Sequence, residues 1–125
     1  MKRRVLIIDD NDQDRKAMVL ALARAGYQDL ASASDEKEGL ALAKTFAPEV
    51  VVIDCVLTRM DGFDVCRQIR AVAGLAPKII IITGHLEAVQ ASKARVSGAD
   101  ELLEKTAGFQ NIHSTIERLF LSERH

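Results

Sequence analysis

The chain has 125 residues, of which 48% are hydrophobic and 28% charged, with a formal net charge of −1. This length suits a single domain, 1–125, with the residues after about 121 forming a short tail. The charge balance gives no electrostatic case for direct nucleic-acid binding, and no apolar run approaches the length of a membrane span.

The start, Met1-Lys2-Arg3-Arg4, is basic like the head of a signal peptide. The apolar stretch behind it ends at Ile8 and runs into two aspartates, so it is too short for the hydrophobic region of such a peptide. Cys55 and Cys66 are the only cysteines. Two cannot build a disulfide framework, and they read as free thiols of a reducing cytoplasm, the expected location. His85, His113 and His125 lie far apart, and no Cys-x-x-Cys occurs, so nothing suggests zinc.

Val5–Ile8 is a continuous apolar run, as expected of a strand buried on both faces. From about Asp12 to Ala25, Met18, Ala21, Leu22 and Ala25 recur at helical spacing, and Gly26 supplies a C-terminal stop. Leu30–Ala33 reads as a short, weak strand. Ser34 is the expected N-cap of a second helix, with Asp35 and Glu36 in its first turn and Leu40, Ala43 and Phe46 on its inner face. Pro48 breaks that helix.

Val50–Ile53 forms another apolar strand and ends on Asp54. Asp61-Gly62 reads as a turn and N-cap, followed by a helix marked by Val65, Cys66, Ile69 and Val72. Ile79–Ile82 is the next apolar strand and ends at Thr83-Gly84. A weakly amphipathic helix is expected from about Leu86 to Val96, with Lys93 interrupting its stripe and Gly98 closing it. Leu102 and Leu103 mark a short strand ending at Lys105. Ile112, Ile116, Leu119 and Phe120 then give a final helix.

Five alternating strand–helix units argue for an α/β fold, a parallel sheet with helices on both faces. Ligands of such sheets sit at the carboxyl ends of the strands. Asp9, Asp10, Asp54, Thr83 and Lys105 all fall at those ends. Adjacent like charges repel, so Asp9 and Asp10 at the end of a buried strand imply a missing cation. Carboxylates with open positions suit Mg²⁺, while a hydroxyl and an ammonium suit phosphate oxygens. An aspartate can also be a nucleophile that forms an aspartyl phosphate.

The segments "VLIIDDND", "VVVIDCVLTRMDGFDVCRQIR", "KIIIITG" and "GADELLEK" resemble the receiver domain of two-component response regulators, of the chemotaxis-regulator type, over essentially the whole chain. The resemblance implies a flavodoxin-like, doubly wound (βα)5 fold with strand order 2-1-3-4-5. It implies that Asp54 accepts a phosphoryl group from a phosphohistidine donor, a sensor histidine kinase or a histidine phosphotransfer protein. Mg²⁺ is the implied cofactor, held by Asp10 directly, by Asp9 through water, by Asp54 and by the Val56 backbone carbonyl. Thr83 would hydrogen-bond the phosphoryl group and Lys105 would pair with it. Apart from self-phosphorylation and autodephosphorylation, no enzymatic activity is implied. The output face for a downstream protein or a dimer would be the fourth helix, fifth strand and fifth helix.

Three positions depart from the family pattern. Thr58 and Thr106 stand where proline is usual, and Leu102 stands where an aromatic residue is usual. Without proline, the Lys105–Thr106 bond is expected to be trans, since the cis form costs about 3 kcal/mol, with some displacement of the Lys105 ammonium. Val56, Gly84 and His85 occupy the positions that, by the resemblance, gate attacking water in the family. Val56 has no group to orient a water, so modest autodephosphorylation is expected.

Three rival readings are weaker. A haloacid-dehalogenase-type phosphatase needs Asp-x-Asp-x-Thr/Val, and the stretch from Asp10 to Asp14 lacks the last element. A flavin mononucleotide carrier needs a Ser/Thr/Gly-rich loop where this chain has Asp9-Asp10-Asn11-Asp12. A degenerate receiver used only as a binding module is opposed by the presence of every phosphorylation residue. No output domain follows the fifth helix, which fits either a single-domain regulator or a receiver cut from a longer chain.

Overall fold

Each apolar run becomes a strand of one parallel sheet. The computed structural model describes residues 3–121; the expected tail and the first two residues of the basic start lie outside them. The elements are β1 (Val5–Ile8), α1 (Asp12–Arg24), β2 (Leu30–Ala33), α2 (Glu36–Thr45), β3 (Val50–Asp54), α3 (Gly62–Arg70), β4 (Lys78–Thr83), α4 (Ala88–Ser97), β5 (Glu101–Glu104) and α5 (Asn111–Leu121), with one 3₁₀ turn at Ala107–Phe109. The strand order is β2-β1-β3-β4-β5, with every neighbouring pair parallel. The doubly wound α/β arrangement is as expected.

The continuous runs conceal a period of two that serves both faces. Leu6, Ile8, Val51, Ile53, Ile79 and Ile81 build one core with residues of α2, α3 and α4. Val5, Ile7, Val50, Val52, Ile80 and Ile82 build the other with residues of α1 and α5. All twelve have no solvent exposure. Burying a side chain of this size is worth about 1.5–3 kcal/mol, so the register of the central strands is strongly held.

That register fixes the carboxyl edge. Ile8 pairs with both Ala33 and Ile53, so Asp9 emerges beside Asp54. Asp54 pairs with Ile82, and Thr83 with Glu104. The Lys105 N–H donates to the Thr83 carbonyl at 2.7 Å, carrying the ladder to the expected end of β5.

Three boundaries differ from expectation. The cap of α2 is Asp35 rather than Ser34: its carboxylate accepts from the Glu38 N–H, while the Ser34 N–H donates to the Glu38 carboxylate. Helix α4 starts at Ala88, two residues late, because the Glu87 N–H is held by the Gln90 side chain at 3.0 Å. Val72 lies beyond α3, in the turn that follows it. Gly98 ends α4 in the left-handed conformation, with φ 95°, as a glycine stop should.

Gly62 opens α3 against the end of β3. Its N–H donates to the Cys55 carbonyl at 2.9 Å, and a Cβ here would collide with the Asp54 carbonyl oxygen. Gly62→Ala is expected to lower the unfolding free energy by about 1–3 kcal/mol through this backbone overlap. Urea titration checks it; an alanine variant as stable as the parent would show that the loop can yield.

Candidate functional site at the carboxyl edge of the sheet

Asp9 and Asp54 are held by the ends of β1 and β3, the two central strands. Asp9 has no solvent exposure and Asp54 only 7%. The Asp9 N–H continues the ladder to the Ala33 carbonyl, its carboxylate accepts from the Asn11 N–H at 2.9 Å, and its carbonyl accepts from Arg15 at 3.0 Å. Asp10 turns away from the strand and accepts a hydrogen bond from the Thr58 hydroxyl at 2.6 Å. One carboxylate oxygen from each of Asp9, Asp10 and Asp54 lies within 4.8 Å of the others.

Lys105 reaches into this group from the end of β5. Its Nζ lies 2.7 Å from Asp14, 3.3 Å from Asp9 and 3.4 Å from Asp54. The Lys105–Thr106 bond is trans, as is every peptide bond among the described residues. The ammonium still lies within reach of Asp54, but its shortest contact is with Asp14.

The charges do not balance. Burial pushes the Asp54 carboxyl up to about 6, the negative charge of Asp9 adds to this, and Lys105 opposes it. Burial also raises Asp9, against the lowering effects of the Asn11 N–H and Lys105. For Lys105, burial works to lower the value, but the hydrogen bond to Asp14 and the charges of Asp54 and Asp9 outweigh it and raise the value. Three clustered carboxylates facing one ammonium make an oxygen-only donor set with excess negative charge. That chemistry fits a hard divalent cation.

Thr83 ends β4 and is 4% exposed. Its hydroxyl donates to the His85 carbonyl at 3.2 Å and accepts from the Gln90 side-chain amide at 3.3 Å, so it faces α4. Val56, Gly84 and His85 are exposed around the mouth of the edge, Val56 at 70%.

The sequence alone assigns no role in the site to Asp14 or Gln90, and Thr58 enters it only as a departure from a pattern. A signal exists for the first two. Asp14 stands four residues before Met18 and eight before Leu22, the two buried residues of α1. Gln90 stands four before Ala94 and seven before Ser97, the two buried residues of α4. Each therefore extends the inward face of its helix toward the site. Thr58 lies in the β3–α3 loop, where no periodicity applies.

The family model described as the response regulator receiver domain matches residues 5–117. The chain belongs to this family. It is 36% identical over 101 residues to the transcriptional regulatory protein AfsQ1 of Streptomyces coelicolor, covering 81% of this chain and 44% of that protein. It is 30% identical over 105 residues to the DNA-binding response regulator MtrA of Mycolicibacterium smegmatis, covering 84% of this chain and 45% of that one. The chain thus spans about half the length of the curated relatives it matches. The chemotaxis response regulator CheY4 of Vibrio cholerae superposes with a TM-score of 0.86 at 24% identity, over 94% of this chain and 98% of that one, which shows the shared fold. This receiver domain carries the fold of two-component response regulators, and its acidic cluster sits at the edge where such sheets bind ligands.

The raised Asp54 value carries a pH consequence. Its folded value of about 6 lies above the ordinary value of 3.8, so the folded receiver binds this proton more tightly than the unfolded chain does. The contribution of this group to stability therefore rises as pH falls from above 6 toward 4, and it is lost as pH rises through 6. Asp54→Asn removes the charge. It is expected to stabilise the metal-free protein by roughly 1–3 kcal/mol at about pH 8, with the gain fading toward about pH 4. Urea titrations of parent and variant across this range give the difference directly; a gain independent of pH would contradict it.

Proposed function

We propose that this receiver accepts a phosphoryl group on Asp54 from a phosphohistidine of a sensor histidine kinase or a histidine phosphotransfer protein. The observation that carries the reading is the placement of Asp54: buried, next to Asp9 and Asp10, and 3.4 Å from the Lys105 ammonium. An Asp54 carboxylate oxygen attacks phosphorus, the phosphorus–nitrogen bond to the donor breaks, and the donor histidine takes up a proton. Lys105 pairs with the transferred group, and the Thr83 hydroxyl turns from the His85 carbonyl to donate to it.

Asp10, Asp54 and the Val56 carbonyl would hold Mg²⁺ directly, and Asp9 through water. When bound, the ion neutralises charge on the transferring phosphoryl oxygens and offsets the repulsion between the carboxylates. The remaining chemistry is positioning by the chain itself. The receiver acts in the cytoplasm, with no enzymatic turnover beyond its own phosphorylation and dephosphorylation. Its output face, α4, β5 and α5, docks a downstream protein or a second copy, and it makes no direct contact with nucleic acid.

The test is incubation with acetyl phosphate and Mg²⁺, followed by intact mass. The parent is expected to gain one phosphoryl group, Asp54→Asn none, and Asp10→Ala far less than the parent while remaining folded. A phosphorylated Asp54→Asn variant would refute the acceptor assignment. A parent that gains nothing would instead mark a receiver used only for binding.

The route from site to surface runs through Gln90. Its amide touches the Thr83 hydroxyl, while its carbonyl oxygen holds the Glu87 N–H at the start of α4. When the hydroxyl turns to the phosphoryl group, this link loosens, and α4 has little else to hold it: only Ala94 and Ser97 are buried. A groove of about 490 Å³ beside it, lined by Leu86, Ala91 and Leu102 among others, leaves room for the helix to shift. Amide exchange is expected to change most across 86–98 on phosphorylation. Gln90→Leu should blunt that change, and Leu102→Ala should retain most of it. Loss of the response in Leu102→Ala, with Asp54 still phosphorylated, would make Leu102 the switch instead.

A further inference from the structure

We infer that Asp14 is a counter-ion that holds Lys105 in the resting state in competition with Asp54, and so sets how readily the phosphorylated state is reached. This deepens the proposed phosphoacceptor reading and rests on it. Asp14 acts through Lys105 and is a positioning residue.

The ammonium has three N–H donors and is surrounded by three carboxylates. Its contact with Asp14, at 2.7 Å, has the length of a charge-assisted hydrogen bond. Its contacts with Asp9 and Asp54, at 3.3 and 3.4 Å, are longer. The shortest bond of this ammonium is therefore made to a carboxylate outside the group of Asp9, Asp10 and Asp54. The backbone of Asp14 is fixed, because its N–H donates to the capping Asn11 side chain at 2.9 Å.

The two ends of this contact differ in how easily they let go. The Asp14 side chain is 34% exposed, whereas that of Asp9 has no exposure. Water can replace Lys105 at Asp14 but not at Asp9. A phosphoryl group on Asp54 adds charge and oxygens beside Lys105, 3.4 Å from its Nζ at the carboxylate itself, and draws the ammonium away from Asp14. The negative charge of Asp14 remains nearby and opposes both the approach of an anionic donor and the full commitment of Lys105.

Removing that charge has two opposite effects, which a general structural defect would not produce. In Asp14→Asn the cluster is less negative, and Lys105 settles closer to Asp9 and Asp54, so Mg²⁺ alone binds more weakly. With Mg²⁺ saturating, Lys105 is fully available to an anion on Asp54, so a phosphoryl mimic binds more tightly. The size expected for one partly exposed charge pair is about two- to five-fold in each direction.

The experiment is calorimetric titration of parent, Asp14→Asn and Asp14→Glu, first with Mg²⁺ alone and then with beryllofluoride at saturating Mg²⁺. Asp14→Asn should weaken Mg²⁺ binding and tighten beryllofluoride binding, while Asp14→Glu, which keeps the charge, should stay closer to the parent in both. Urea titration confirms that the variants fold. If the parent binds beryllofluoride and Asp14→Asn binds it equally or more weakly, this inference is overturned while the acceptor reading stands. If the parent binds none even with saturating Mg²⁺, the acceptor reading itself fails and takes the inference with it.

Discussion

The crowding of Asp9, Asp10 and Asp54, with one ammonium beside Asp9 and Asp54, governs the carboxyl edge. A buried carboxylate without compensation costs several kcal/mol, of order 3–5 where one partner of a buried pair is lost. Lys105 offsets part of that cost, and the rest is visible in the raised Asp54 value of about 6. The sheet accepts this arrangement because the strands that carry it are anchored elsewhere. β1 and β3 are completely buried on both faces, so their ends are placed by the core and not by the charges. Stability is supplied by the middle of the sheet and spent at its edge, as expected where a fold serves a site.

The rest of the edge can be understood as the neutralisation of that charge. Lys105 must come from β5, two strands away from β3, and its position depends on the bond from its N–H to the Thr83 carbonyl. Arg15 engages the Asp9 carbonyl rather than its carboxylate, and also pairs with Asp12, so it steadies the loop without entering the cluster. Arg59 stands 3.8 Å from Glu36, a buried carboxylate whose oxygens have no hydrogen-bond partner, and so ties the β3–α3 loop to the first turn of α2. Thr58, in the same loop, holds Asp10. A proline in its place could not donate that bond, so this departure from the family pattern gives the chain a contact of its own to the acidic cluster.

Most of the fold was legible because parallel strands buried on both faces leave continuous apolar runs, and three of the five strands here are such runs. Turn chemistry located most helix ends, with Gly26 and Gly98 as stops and Asp61 as a cap. Where two neighbouring residues could cap, as Ser34 and Asp35 could before α2, the choice depended on where the chain leaves the sheet, which composition does not encode. The residues at strand ends were legible for a topological reason: in a parallel sheet all carboxyl ends meet on one edge, whatever the packing details. Asp14, Gln90 and Thr58 reach that edge from helices and a loop. Their contribution depends on helix rotation and loop path, which are fixed only after the core has packed. The inward faces of α1 and α4 carried the information for two of them, but it becomes readable only once the buried residues of those helices are known.

The same distinction separates the parts of the molecule that can move from those that cannot. α3 buries Gly62, Phe63, Val65, Cys66 and Ile69, and is held hard against β3 and Asp54. α4 buries two small side chains, and its neighbour β5 is an edge strand with no fully buried residue. Segments with few buried apolar contacts open at low cost. Displacing α3 would disturb Asp54 itself, whereas displacing α4 leaves the central strands untouched. Thr83 stands at the junction, with its backbone in the buried ladder of β4 and its hydroxyl facing α4. A change of charge at Asp54 can therefore alter the surface only on the side of the sheet where packing is thin. On that side Leu102, half-buried against the core of Ile79 and Ile81, has neither hydroxyl nor ring to select one position over another. The polar link through Gln90 is the contact on this side whose partner would change if the Thr83 hydroxyl turned toward Asp54.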